Sequence, residues 1–217
     1  MSSVLNRFVR SLVRVAPLCL AAATWSAGGA SAADLSGMTY QPAPVQTTPT
    51  LPYDRFEIRF GALAHGVGGR EQGSVDINGE FVTPRLPLGV SGWASYLVPR
   101  IQVGGEANLR GRTSFVYTGA LWTWPVWGGI SLEAFVGPAI HNGSLVPGPN
   151  QGGLGCPVLF HAGASVTYQL TDHWSVIGTF SHLSNGRELF GISCGTNQGT
   201  GGNQGLNNYG LKVGYSF

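Results

Sequence analysis

From Tyr53 to Phe217 this chain alternates apolar and polar residues in one run after another, and the polar parity carries full charges. In the first run Phe56, Ile58, Phe60 and Ala62 share one parity, while Arg55, Glu57 and Arg59 share the other. Residues two apart in a strand lie on one face, so such a run is a strand with an oily side and a charged side. Val75, Ile77 and Phe81 likewise oppose Asp76, Asn78 and Glu80, and Ile101 and Val103 oppose Arg100, Gln102, Glu106 and Asn108. In a β-sandwich these charges would face water. In a small barrel immersed in lipid they point inward and pair, while the apolar parity meets hydrocarbon. Closing the sheet also removes the unpaired edges that lipid cannot satisfy.

Eight such runs can be marked, at residues 53–65, 74–83, 94–109, 114–124, 130–141, 158–170, 173–184 and 205–217. The parity of the fourth is ambiguous. An even number returns both termini to one side. The last run is apolar at Tyr209, Leu211, Val213, Tyr215 and Phe217, and ends on a terminal aromatic, as the insertion signature of outer-membrane barrels does. The expected fold is all-β: an eight-stranded antiparallel transmembrane β-barrel of the outer membrane over residues 53–217, served by the barrel-insertion machinery. A homodimer is compatible with it. Trp93, Trp122, Trp124, Trp127 and Trp174 fit an interfacial girdle.

The N-terminus reads as an export signal over residues 1–32. Arg7, Arg10 and Arg14 form a basic region, Val15 to Trp25 an apolar stretch too short to anchor in a bilayer, and Ala30-Ser31-Ala32 a cleavage site. Residues 33–52, rich in Pro and Thr and without periodicity, read as a periplasmic tail. The signal takes three of the 12 basic residues, leaving nine against ten acidic ones, a net charge near −1. That balance offers no basic patch for nucleic acid. After cleavage Cys156 and Cys194 remain, and both fall in Gly-rich external loops, so one disulfide is expected between them. His65, His141 and His161 lack a converging set of acidic or cysteine partners and are read as structural, with no metal site. Gly199 to Gly205 lacks the Lys-Ser/Thr of a phosphate loop.

With a short turn at Leu170-Thr171-Asp172-His173 on the periplasmic side, the seventh run ends at the cell exterior. There His182 and Ser184 share the apolar, lipid-facing parity with Trp174, Val176, Gly178 and Phe180. A neutral imidazole can take the serine proton as the oxygen attacks an ester, then return it to the leaving alcohol. A third group must fix the imidazole tautomer. Asn207, outward on the neighbouring strand at a similar height, is the best placed, and Glu188 in the loop is the alternative orienter. Asn185 and nearby N–H groups can supply an oxyanion hole. An uncompensated polar pair on a lipid face costs about 1–3 kcal/mol or more, unless it sits at headgroup level.

His182-x-Ser184-Asn185, followed by Asn203-Gln204-Gly205-Leu206-Asn207 and an alternating strand that ends in Phe217, resembles the PagL family of lipid A 3-O-deacylases. The resemblance implies an outer-membrane barrel enzyme acting on lipid A of lipopolysaccharide in the outer leaflet, with no cofactor. It implies His182 as base, Ser184 as nucleophile, and Asn185 and Asn203 as supports near the oxyanion. It also implies Glu where this chain has Asn207. The run His182 to Arg187 (His-x-Ser-Asn-Gly-Arg) is also similar to outer-membrane phospholipase A, which uses Asn as third member, needs calcium and has twelve strands. A structural or adhesive barrel without catalysis is the remaining alternative.

Overall fold

The computed structural model describes residues 52–186 and 205–217, all within one compact unit, residues 47–217. The expected N-terminal signal and most of the tail lie outside the described residues, as do Asn203, Glu188 and Cys194. Eight strands are arranged in chain order and close into a barrel, β8 pairing back onto β1. They are β1 (Glu57–His65), β2 (Ser74–Arg85), β3 (Arg100–Asn108), β4 (Phe115–Trp127), β5 (Ile130–His141), β6 (Val158–Gln169), β7 (Trp174–Ser184) and β8 (Leu206–Ser216). Every neighbouring pair is antiparallel.

Two strands start several residues later than the sequence reading has them, and β2 and β4 run on to Arg85 and Trp127. Residues 52–54 form a 3-10 turn, so β1 begins at Glu57 rather than Tyr53, and Arg55 donates to the Asp172 carbonyl at the rim instead of pointing inward. Residues 92–97 form a second 3-10 segment, so β3 begins at Arg100. Pro99 just before it has no N–H to give a ladder. The carbonyls of Tyr96 and Leu97 accept the indole N–H of Trp124 and Trp122, which ties this segment to the outer wall.

The alternation resolves as expected. Glu57, Arg59, Glu80, Arg100, Gln102, Glu106 and Glu133 are buried in the lumen, while Ile58, Phe60, Ile77, Phe81, Val103, Leu132 and Leu211 stand exposed on the wall. Arg59 organises the interior. Its Nη1 and Nη2 both donate to Glu133, at 2.9 and 2.8 Å, and Nη2 also donates to Glu57 at 2.8 Å. Glu57 receives Arg100 as well, and Glu80 receives Lys212 and the Tyr117 hydroxyl. An eight-stranded barrel is just wide enough for side chains to fill it, so this lumen is a packed polar core. The ambiguous fourth run is settled by Tyr117, which turns inward to bond Glu80 and packs on His161 at 4.2 Å between ring centroids.

At the end opposite the termini the mouth is capped. Residues 142–157, between β5 and β6, fold over it, and Leu154 and Cys156 join Phe115, Leu159, Leu183 and Leu206 in an apolar cluster. Cys156 is disulfide-bonded; its expected partner lies outside the described residues. Glu71, in the β1–β2 connection, is the keystone of this cap. It accepts the N–H and hydroxyl of Thr113 and the N–H of Gly152, and it meets His65 Nε2 at 3.1 Å. His65 Nδ1 meets Asp76 at 2.7 Å. Two carboxylates therefore do converge on His65, contrary to the sequence reading, because the hairpin register sets His65 opposite Ser74 and the connection folds Glu71 back. Both ring nitrogens are occupied by these bonds, and no metal-binding group of three or more such residues exists among the described residues. Burial pushes the Glu71 carboxyl up, but the donors from His65, Thr113 and Gly152 outweigh it and hold it at about 2.

Candidate active site on the outer wall

The polar group at the end of β7 is built from two adjacent strands. Ser181 and Leu183 are buried in the lumen, so His182 and Ser184 take the outward parity and are half-buried on the wall. On β8 the same logic is enforced from inside. Asn208 is fully buried, and its side chain donates to Asp76 at 2.9 Å and Glu106 at 2.6 Å while accepting the Gly66 N–H at 2.9 Å. With Asn208 clamped inward, Asn207 must face outward. Its carbonyl accepts the Val67 N–H at 2.8 Å, which fixes the start of the strand to the β1–β2 connection.

His182 and Asn207 are direct cross-strand partners, and Asn207 Oδ1 accepts the His182 Nδ1–H at 2.6 Å. A carbonyl oxygen can only accept, so this bond puts the proton on Nδ1 and leaves Nε2 with its lone pair. The free edge of the ring lies against Gly205. A Cβ at that position would stand 2.7 Å from His182 Cε1 and 3.3 Å from Nε2, and the Gly205 backbone has φ +49°. Both facts require glycine there. Sequence reasoning misses Gly205, which reads as the edge of a Gly-rich loop; only the His182 ring in the space of its Cβ distinguishes it.

Ser184 shares the face with His182, but no hydrogen bond joins the two among the described residues. Side chains two apart on a strand leave the backbone about 7 Å from each other. Hydrogen bonds between catalytic groups are often long in a free site and tighten when substrate binds. Asn185 follows at the end of β7 and is buried. The wall below the polar row is aromatic on one side and open on the other. Phe180 and Tyr209, cross-strand partners one step down, pack with ring centroids 4.8 Å apart. On the β6 side His182 faces Ala162 and Phe180 faces Ala164, so methyl groups stand beside them, while Phe160 stands opposite Ser184. The arrangement offers a polarised imidazole and a hydroxyl beside an apolar surface, a combination suited to an ester whose acyl chain lies along the wall.

No protein-family model matches the chain. No curated protein matches its sequence. Solved structures do match. The outer membrane enzyme PagL aligns over 74% of this chain and 99% of its own, with 17% identity and a TM-score of 0.50. The N-terminal β-barrel domain of Pseudomonas aeruginosa OprF aligns over 76% and 98%, with 13% identity and a TM-score of 0.48. A de novo designed transmembrane β-barrel aligns over 76% and 96%, with 12% identity and a TM-score of 0.46. The chain has the eight-stranded barrel fold of outer-membrane proteins. At these identities the likeness is one of fold.

Proposed function

We propose that this protein is an outer-membrane serine esterase that removes an ester-linked acyl chain from lipid A, acting as a lipid A 3-O-deacylase from the outer leaflet. The observation that carries the reading is the 2.6 Å bond from His182 to Asn207 on the lipid-facing wall, with Ser184 two residues on along the same face. A histidine oriented so that its Nε2 is free is a base in waiting, and a barrel with no other purpose for it gains little from burying it against lipid.

In the proposed reaction the Ser184 oxygen attacks the ester carbonyl while Nε2 takes its proton. The imidazolium, held by Asn207, returns that proton to the leaving sugar oxygen, and the acyl chain remains as an ester of Ser184. Water then attacks with His182 again as base, releasing the fatty acid and restoring the hydroxyl. Asn185, and Asn203 beyond the described residues, are assigned to the oxyanion. Asn207 is assigned as orienter in place of Glu188. A Cys156–Cys194 bridge would tie the last external loop to the cap, and the acyl chain would run beside Phe180 and Tyr209.

Mass spectrometry of lipid A from cells expressing the wild type or Ser184→Ala tests this. Loss of one hydroxyacyl chain in the wild type alone supports the deacylase; identical profiles overturn it. One observation favours a second reading, calcium-dependent phospholipase A-like hydrolysis: the third member is Asn207, an amide, and not a carboxylate. Supplying phospholipid in place of lipopolysaccharide, with and without a calcium chelator, separates the two. A structural barrel predicts no hydrolysis of either lipid.

A further inference from the structure

Among the described residues, the connections at the capped end of the barrel expose charge of one sign. Among the described residues of its connections, the charged side chains are Arg70, Arg110, Arg112 and Glu71. Glu71 is buried and occupied by His65, Thr113 and Gly152. None of the three arginines forms an ion pair among the described residues. The backbone that carries Arg110 and Arg112 is nevertheless fixed. Asn108 Oδ1 accepts the backbone N–H of Arg110 at 3.0 Å and of Arg112 at 3.1 Å, and Gly111 between them turns the chain with φ +71°. Arg112 Nη1 donates to the Gln72 carbonyl, and Arg70 Nη1 to the Gly148 carbonyl. Between the Arg110–Arg112 turn and residues 148–151 lies an open cavity of about 580 Å³.

We propose that this cavity binds the phosphate-bearing saccharide headgroup of an outer-leaflet glycolipid. A guanidinium presents a planar fork of donors that matches phosphate oxygens, and a fixed turn carries two of them two residues apart. Among the described residues of these connections no exposed carboxylate faces the three cations, so their fields add. The proposal takes from the proposed function only the placement of this end outside the cell. The β3–β4 connection is separated from β7 and β8 by two strands in either direction around the barrel. The cavity is therefore lined by connections other than the one that joins β7 to β8.

Calorimetric titration of the refolded mature chain in detergent micelles tests the site, using glucosamine 1-phosphate, inorganic phosphate and unphosphorylated glucosamine as probes. Glucosamine 1-phosphate is expected to bind the wild type, to bind R110Q/R112Q roughly tenfold more weakly, and to bind Ser184→Ala as it does the wild type. That last arm keeps this site separable from the esterase. Unphosphorylated glucosamine is expected to bind neither protein. Equal titrations of wild type and R110Q/R112Q overturn the site. Glucosamine binding as well as its phosphate overturns anion recognition. Inorganic phosphate binding as tightly as the sugar phosphate overturns the glycolipid as its source. If R110Q/R112Q fails the gel-mobility test of folding, R110Q alone, whose side chain lines the cavity and makes no hydrogen bond among the described residues, carries the same comparison.

Discussion

Replacing Arg59 with Met is the sharpest test of how the lumen is held together. Arg59 is almost fully buried and touches three carboxylates. They do not lose equally when it goes. Glu57 keeps Arg100 at 3.0 Å, and Glu80 keeps Lys212 at 2.9 Å and the Tyr117 hydroxyl at 2.6 Å. Glu133 loses both guanidinium bonds and retains the Thr123 hydroxyl at 3.3 Å. One buried carboxylate is thus left without a cation, and breaking a buried pair in this way costs about 3–5 kcal/mol. Adding Glu133→Gln removes the orphan charge. The double variant is expected to recover most of the loss and to sit about 1–2 kcal/mol below the wild type. Urea unfolding of the barrel in phospholipid vesicles, followed by tryptophan fluorescence and gel mobility, measures both differences. A single variant within about 1 kcal/mol of wild type, or a double variant less stable than the single, would refute the reasoning.

Other expectations concern the wall and the cap. Asn207→Glu places a carboxylate where the amide accepts from His182; a charge-assisted bond is about twice as strong, so turnover on lipid A should rise roughly tenfold, whereas Asn207→Ala should lower it. Gly205→Ala drives a methyl group to 2.7 Å from the His182 ring and should cut the rate about a hundredfold while the barrel still folds, as gel mobility would report. For the cap, the folded Glu71 carboxyl at about 2 lies below its ordinary 4.5, so its stabilising effect is complete above pH 4.5 and drains away as pH falls toward 2. Hydrogen exchange of residues 66–73 and 150–155 should accelerate across that window, and Glu71→Gln should show the fast exchange already at pH 7.

The alternation alone located the barrel, its strand number and the inward or outward sense of most side chains, because a two-residue period leaves no third choice. It also brought His182 and Asn207 to one face of neighbouring strands. What it left hidden has common causes. Arg59 meets Glu133 across 74 positions of sequence, and which of the inward carboxylates it takes depends on strand tilt and register. Two carboxylates reach His65 only after a hairpin and a folded-back connection form. The fourth run has no clear parity in the sequence, and only the buried Glu80 acceptor turns the Tyr117 hydroxyl inward. The segment before Arg100 reads as strand, and Pro99 is the signal in it against a ladder. Gly205 could be recognised only once a neighbouring strand put an imidazole in its space.

The inward clamp on Asn208 reaches beyond the lumen. Because its side chain is pinned to the interior and to the first connection, the outward residue before it has no freedom to slide along the barrel axis. Histidine and amide therefore ride at an altitude set by the protein, while the depth of any bond in a lipid is set by the bilayer. Thinning or thickening the membrane would slide substrates past a stationary reagent, so membrane composition itself becomes a dial on which bond is met.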